Sequence, residues 1–125
     1  MRDAADPVAE WLHAAAEHRL VLQRCSACGH YQHYPRDLCT SCGDDALAFV
    51  EAEGTGTVRS YSVVARSPDP ERFSPPYTVA LVRLAEGPIV FTRLVGIDTP
   101  ECDMAVSLDW WEGPEGQALP VFTSA

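Results

Sequence analysis

This sequence predicts a mainly β protein made of one N-terminal helix, a metal-stapled ribbon and a small C-terminal barrel, and three observations carry that reading. Two matched motifs, Cys25-Ser26-Ala27-Cys28-Gly29 and Cys39-Thr40-Ser41-Cys42-Gly43, supply four thiolates from two tight knuckles. A single apolar stripe at helical spacing stands before them, and nearly everything after them is β-rich runs separated by Gly and Pro turns. With 125 residues, the chain can form one core of ordinary size, but two domains only if one is stapled by metal.

The first element follows from Asp6-Pro7, an N-cap before a proline at the first helical position, with Val8, Trp11, Leu12 and Ala15 recurring on one face. The spacing predicts a helix over 7–18. Residues 20–23 read as a strand leading into the first knuckle, residues 25–42 as the ribbon itself, and residues 46–53 as the strand that leaves it. In each knuckle a glycine follows the second cysteine, where positive φ turns backbone N–H groups toward sulfur. Cys25, Cys28, Cys39 and Cys42 are the ligand set that tetrahedral zinc prefers, one ion per chain. An iron site of the rubredoxin kind, two redox-active pairs or disulfides are the competing readings, and ligand count and spacing favour zinc over each. Four thiolates close the coordination sphere, so the ion holds structure and does no chemistry.

The remaining elements are strands. Residues 55–65 carry Val58, Tyr61, Val63 and Val64 among Thr and Ser. Four prolines between 67 and 76 remove four backbone donors and make that stretch a stiffened loop. Residues 77–84 and 89–95 form a hairpin around Ala85-Glu86-Gly87-Pro88. A strand over 104–111, an acidic turn over 112–117 and a short strand over 119–122 complete the pattern. About five strands in about 70 residues fit a barrel, whose closure removes exposed edges.

Charge narrows the function. Nine arginines, no lysine and eighteen carboxylates give −9, and residues 96–125 hold six carboxylates and no basic side chain. That is a poor match to nucleic acid, where a binding groove needs a continuous cationic track. The N-terminus lacks the basic and then apolar run of a secretory signal, and no stretch approaches the ~20 apolar residues of a membrane span, so a cytoplasmic protein without membrane contact is expected. The metal-type cysteine pairs agree with a reducing compartment and leave Cys102 over, which reads as a small buried hydrophobe before it reads as a nucleophile. No catalytic residue can be named. His13, His18, His30 and His33 all precede the barrel half, and Asp98, Glu101, Asp103 and Asp109 fall where a solvated surface is expected.

Taken with these motifs, Leu20-Val21-Leu22-Gln23-Arg24-Cys25, Tyr34-Pro35-Arg36, Gly54-Thr55-Gly56-Thr57-Val58, Tyr61-Ser62-Val63-Val64, Pro76-Tyr77, Val79-Ala80-Leu81-Val82, Glu86-Gly87-Pro88 and Pro120-Val121-Phe122 make the chain resemble a known family. It is similar to the small zinc-ribbon and OB-fold proteins that accompany thiolase-superfamily enzymes and bind acyl-CoA. The resemblance covers nearly the whole chain, with one departure: the family often has a glycine before its penultimate strand, and here Glu101-Cys102-Asp103-Met104 stands instead. It implies an N-terminal helix over 1–18, a rubredoxin-like zinc ribbon over 19–50 and an OB-fold β-barrel over 51–125. It also implies a non-catalytic accessory subunit that binds acyl-CoA beside a thiolase-like large subunit, the partner supplying the reacting groups of a thiolase, acyltransferase or retro-aldolase. For the ligand, Arg24 and Arg36 can serve phosphate oxygens, and Tyr31 or Tyr34 can cover an apolar or aromatic surface. Alternatively these side chains only cover the metal site, with Arg36 paired to Asp37 or a thiolate. Phe73 and Tyr77 line a pantetheine channel or a subunit interface, or Phe73 plugs the barrel mouth. A nucleic-acid-binding ribbon and OB module is the second reading; a free-standing enzyme using Cys102, or an iron electron carrier, is the third.

Overall fold

The computed structural model describes residues 6–66, 70, 75–113 and 118–125. Helix α1 runs Pro7–Ala16, and the Asp6 side chain accepts a hydrogen bond from the Val8 amide at 3.1 Å. It ends two residues before the expected position because His18 turns to φ +58°, and the Arg19 amide then closes back on the Ala14 carbonyl at 3.0 Å. A left-handed histidine is unfavourable on its own. Here its ring stacks on Trp110 at 5.2 Å, and its Nε2 meets the Glu112 carboxylate at 2.7 Å, which ties the end of the helix to the barrel.

Strands β1 (Val21–Cys25), β2 (Tyr31–Gln32) and β3 (Leu47–Glu51) form an antiparallel sheet in the order β2-β1-β3. Strands β4 (Thr55–Val64), β5 (Tyr77–Leu84), β6 (Ile89–Leu94), β7 (Ala105–Glu112) and β8 (Ala118–Ser124) close a barrel in the order β4-β5-β6-β8-β7. The chain is therefore mainly β, with one helix, a four-cysteine ribbon and a five-stranded OB-like barrel, as its resemblance implied. Alternation sets the barrel interior: Ala80, Val82 and Leu84 of β5 are buried, while Leu81 and Arg83 face outward. Leu20 and Leu22, from the ribbon's own strand and its approach, join Val58, Val82, Leu84, Val106 and Phe122 in one cluster. Burying each Leu or Phe of that cluster is worth about 1.5–3 kcal/mol, so ribbon and barrel stabilise each other through shared core.

The Gly-Thr-Gly-Thr-Val motif sits where β4 passes from one partner to another. Gly54 has φ +85°, and Gly56 pairs with Leu84 of β5 and with Val106 of β7. At Gly56 a Cβ would lie 2.6 Å from the Arg83 carbonyl oxygen, so only glycine lets the two backbones approach. The departure before β7 has an equally local explanation. Asp103 takes the glycine-like conformation, φ +69°, and its amide donates to the Val58 carbonyl at 2.7 Å. Aspartate tolerates this region better than most residues. Cys102 in the same turn is exposed, contrary to the buried position expected of it, because a turn residue outside the strand alternation has no inward face.

Candidate metal centre and ligand cavity

The four cysteines converge. Their Sγ atoms all lie within 4.8 Å of one another, with Cys25 to Cys42 at 3.7 Å and Cys28 to Cys39 at 3.6 Å. A tetrahedral zinc with Zn–S of about 2.3 Å requires S···S edges of about 3.8 Å, so the thiolates are spaced for the ion, and far beyond the ~2.05 Å of a disulfide. Both knuckles repeat one geometry. Gly29 and Gly43 each have φ +80°, and their amides donate to the Cys25 and Cys39 carbonyls at 2.7 and 2.9 Å. The Cys42 and Ser41 amides point at the Cys39 sulfur, at 3.5 and 3.4 Å, and these N–H donors bring its thiol down to about 6. Desolvation and the neighbouring sulfurs push the Cys42 thiol the other way, up to about 12, so without a cation the crowded sulfurs hold protons that metal binding must release.

Beneath the knuckles lies a polar network that sequence reasoning missed. Gln23 and Gln32 are buried on adjacent strands, and the Gln32 Nε2 donates to the Gln23 Oε1 at 2.9 Å. Gln23 also accepts from the Arg36 amide and donates to the Arg36 carbonyl, both at 2.8 Å, while Gln32 accepts from the Thr40 amide at 3.0 Å. Two side-chain amides thus pin the segment between the knuckles as a strand would. Each partner stranded in the interior costs roughly 1–3 kcal/mol, and Gln23→Ala strands several. We expect Gln23→Ala to lose about 2 kcal/mol in urea unfolding and to release zinc faster to a chelator, while Gln23→Glu at high pH should not rescue it.

The expected ligand contacts separate into two groups. Arg24 and Tyr31 come together on the ribbon, the guanidinium carbon 5.8 Å from the ring centre, and Arg24 reaches over Gly29. Tyr34 is exposed and leans on His33 at 4.7 Å; Arg36 is exposed, with its backbone engaged by Gln23. Tyr77, at the start of β5, is not with them, and Phe73 lies outside the described residues. The histidines form no catalytic set among the described residues: His18 meets Glu112, His30 meets Thr40 at 3.1 Å, and burial pushes the His33 imidazole down, leaving it neutral at pH 7. Asp98, Glu101, Asp103 and Asp109 are exposed, as expected.

Tyr77 instead lines a cavity of about 310 Å³ at the junction of helix, ribbon and barrel, together with Trp11, His33, Phe91, Arg93 and Trp111. Trp11 Nε1 and His33 Nδ1 are buried without a hydrogen-bond partner, their rings 5.9 Å apart. Arg93 lies 5.8 Å from the Trp111 ring centre; burial lowers its pKa, but a guanidinium stays protonated. These residues are scattered from 11 to 111, so no sequence window could have shown the cavity.

Residues 12–48 match the family model of the ChsH2 rubredoxin-like zinc ribbon domain, and residues 49–110 that of the ChsH2 C-terminal OB-fold domain. The chain belongs to the ChsH2 (DUF35) family. Within that family, it is 46% identical to a chain in the solved Ltp2-ChsH2(DUF35) aldolase, with a TM-score of 0.86 and 98% of each chain covered. A DUF35 domain-containing scaffold protein of Methanothermobacter thermautotrophicus is 31% identical over 94 residues, which is 74% of this chain and 71% of that one. A probable enoyl-CoA hydratase alpha subunit of Thermomonospora curvata is 48% identical over 117 residues, 92% of this chain. The chain spans only 36% of that relative's length. ChsH2 membership agrees with the resemblance carried by the motifs, and with the zinc-spaced thiolates.

Proposed function

We propose that this chain is a non-catalytic, acyl-CoA-binding scaffold subunit, stapled by one structural zinc, that works in the cytoplasm beside a thiolase-superfamily large subunit. The observation that carries the reading is the 46% identity, over 98% of both chains, to the component of the Ltp2-ChsH2(DUF35) aldolase. Retro-aldol cleavage of an acyl-CoA is accordingly the reaction class favoured for the assembly. The site chemistry supports a scaffold. A four-thiolate centre offers no open coordination position, and the histidines described above are engaged in packing or hydrogen bonds rather than poised beside a nucleophile. Division into a helix over 1–18, a ribbon over 19–50 and a barrel over 51–125 belongs to the same proposal, as does a CoA phosphate contact from Arg24 or Arg36.

The test is reconstitution. Acyl-CoA turnover is expected only after the chain is combined with a co-purifying large subunit, and turnover by the chain alone, abolished by Cys102→Ser, would overturn the assignment. In the complex, Arg36→Ala should weaken acyl-CoA binding roughly tenfold to a hundredfold at fixed salt, the worth of one charge-assisted hydrogen bond, with zinc content unchanged. Single-stranded DNA bound more tightly than acyl-CoA would favour the nucleic-acid reading instead.

A further inference from the structure

We infer that the cavity at the junction of helix, ribbon and barrel binds the uncharged apolar end of the ligand, an acyl chain, with the thioester and CoA directed outward past Arg93. This rests on the acyl-CoA reading above and assigns its acyl end to a place that Arg24, Tyr31, Tyr34 and Arg36 do not line.

The cavity exists because of how the helix is supported. α1 packs on β1 and on β8, and it crosses the ground between them with Trp11 as the part of its stripe that faces the gap. The floor is barrel wall, from Val79 on β5 and Leu119 on β8, with Phe91 of β6 at the rim. Its volume, about 310 Å³, is about twice the ~150 Å³ that suffices for a benzene-sized guest in an engineered apolar cavity, so a chain of roughly eight to ten carbons fits.

The lining is largely aliphatic and aromatic, with Trp11 Nε1 and His33 Nδ1 as unpartnered polar atoms on it, and it favours an uncharged guest. Among the lining residues Arg93 is the one cation, and His33, held neutral by burial, offers no charge to an anion. Away from Arg93 a carboxylate lodged against the aromatic and aliphatic walls would pay a heavy desolvation cost, whereas a methyl-terminated chain fits beside Val79, Phe91 and Leu119 at little cost. The mouth continues the same chemistry. Phe91 is 63% exposed and pairs across the sheet with the exposed Leu81, and Ile89 is exposed one step along β6. Such an outward-facing row on a barrel otherwise rich in carboxylates is covered when a chain leaves the cavity along it.

The experiment uses the full zinc-loaded chain, titrated with octanoyl-CoA, with CoA and with 1-octanol, and reads both heat and tryptophan fluorescence, since Trp11 and Trp111 line the cavity. Val79→Phe and Leu119→Phe fill it from two different strands; neither residue belongs to the buried cluster, and zinc content and thermal midpoint report whether each variant is intact. Octanoyl-CoA is expected to bind at least tenfold more tightly than CoA, octanol to give a saturable fluorescence change, and both advantages to vanish in the two variants while CoA affinity is kept. Equal affinity for CoA and octanoyl-CoA, or an octanoyl-CoA preference that neither variant alters, would overturn the cavity assignment and leave the acyl-CoA reading standing. Saturable octanol binding lost in the variants, with no binding of octanoyl-CoA, would keep the cavity and overturn the acyl-CoA reading. Binding of none of the three would overturn both.

Discussion

Cys39→Ser is expected to abolish zinc binding and to unfold the ribbon, because it removes one of four ligands from a closed site and replaces a buried sulfur with a poor zinc donor. A structural zinc contributes on the order of 10 kcal/mol in small ribbon-like peptides, more than the whole stability margin of many domains. The loss should not stop at the ribbon. Leu20 and Leu22 on and beside β1 are almost wholly buried in the same cluster as the barrel residues, so a disordered ribbon uncovers one side of the barrel core. Wild-type protein should carry one zinc per chain by elemental analysis, and the variant less than a tenth of that, with protease cleavage between the two knuckles and a broadened thermal transition. A metal-free Cys39→Ser protein with the wild-type melting profile would show that the thiolates are not what holds the ribbon.

Gly56→Val should be the most damaging substitution in the barrel that leaves the metal untouched. A Cβ at this position meets the Arg83 carbonyl oxygen at 2.6 Å and a Val82 methyl at 2.8 Å, and the first is backbone, which cannot rotate away. Relief requires β4 to move off β5 at the point where it also pairs with β7. We expect a loss of about 3 kcal/mol, or roughly 10–15 °C in melting temperature for a domain of this size, with Gly56→Ala close behind. Thr57→Val, one residue on and exposed, is the control and should be nearly neutral or slightly stabilising. Equal melting temperatures for Gly56→Val and Thr57→Val would mean that the strands have room that the structure does not give them.

Much of this architecture is legible in the sequence, and for physical reasons. Strands that alternate in burial, such as Tyr77–Leu84, announce their limits because each inward residue must be apolar, and paired cysteines announce a metal because few other uses need that spacing. Helix α1 was legible at its start, where a cap is a local device, and less so at its end, where His18 turns left-handed only because Trp110 and Glu112 receive it from the far end of the chain. Strand β2 escaped notice because two residues carry no periodicity, and Gln23 and Gln32 escaped because a buried glutamine looks like a surface one until its partners are known. The same limit hid the cavity. Conversely, Gly56 stood in the motif from the outset, but its reason, a backbone carbonyl 2.6 Å from an absent Cβ, exists only in three dimensions.

The closure of the barrel is unequal around its circumference. β4 and β5 are joined over nearly their whole length, whereas β6 and β8 run parallel and share a single register pair, Leu94 with Phe122, reinforced by the Val95 amide on the Phe122 carbonyl and the Thr92 hydroxyl on the Pro120 carbonyl, both at 2.9 Å. Local opening begins where the fewest ladder bonds must break, so hydrogen exchange is expected to be fastest along this seam of the barrel wall. Thr92, Arg93, Pro120, Val121 and Phe122 border both the seam and the cavity above it. The volume beneath α1 is therefore bounded unequally: its β6 and β8 walls meet along the most weakly laddered seam, while its ribbon side rests on the four-cysteine staple.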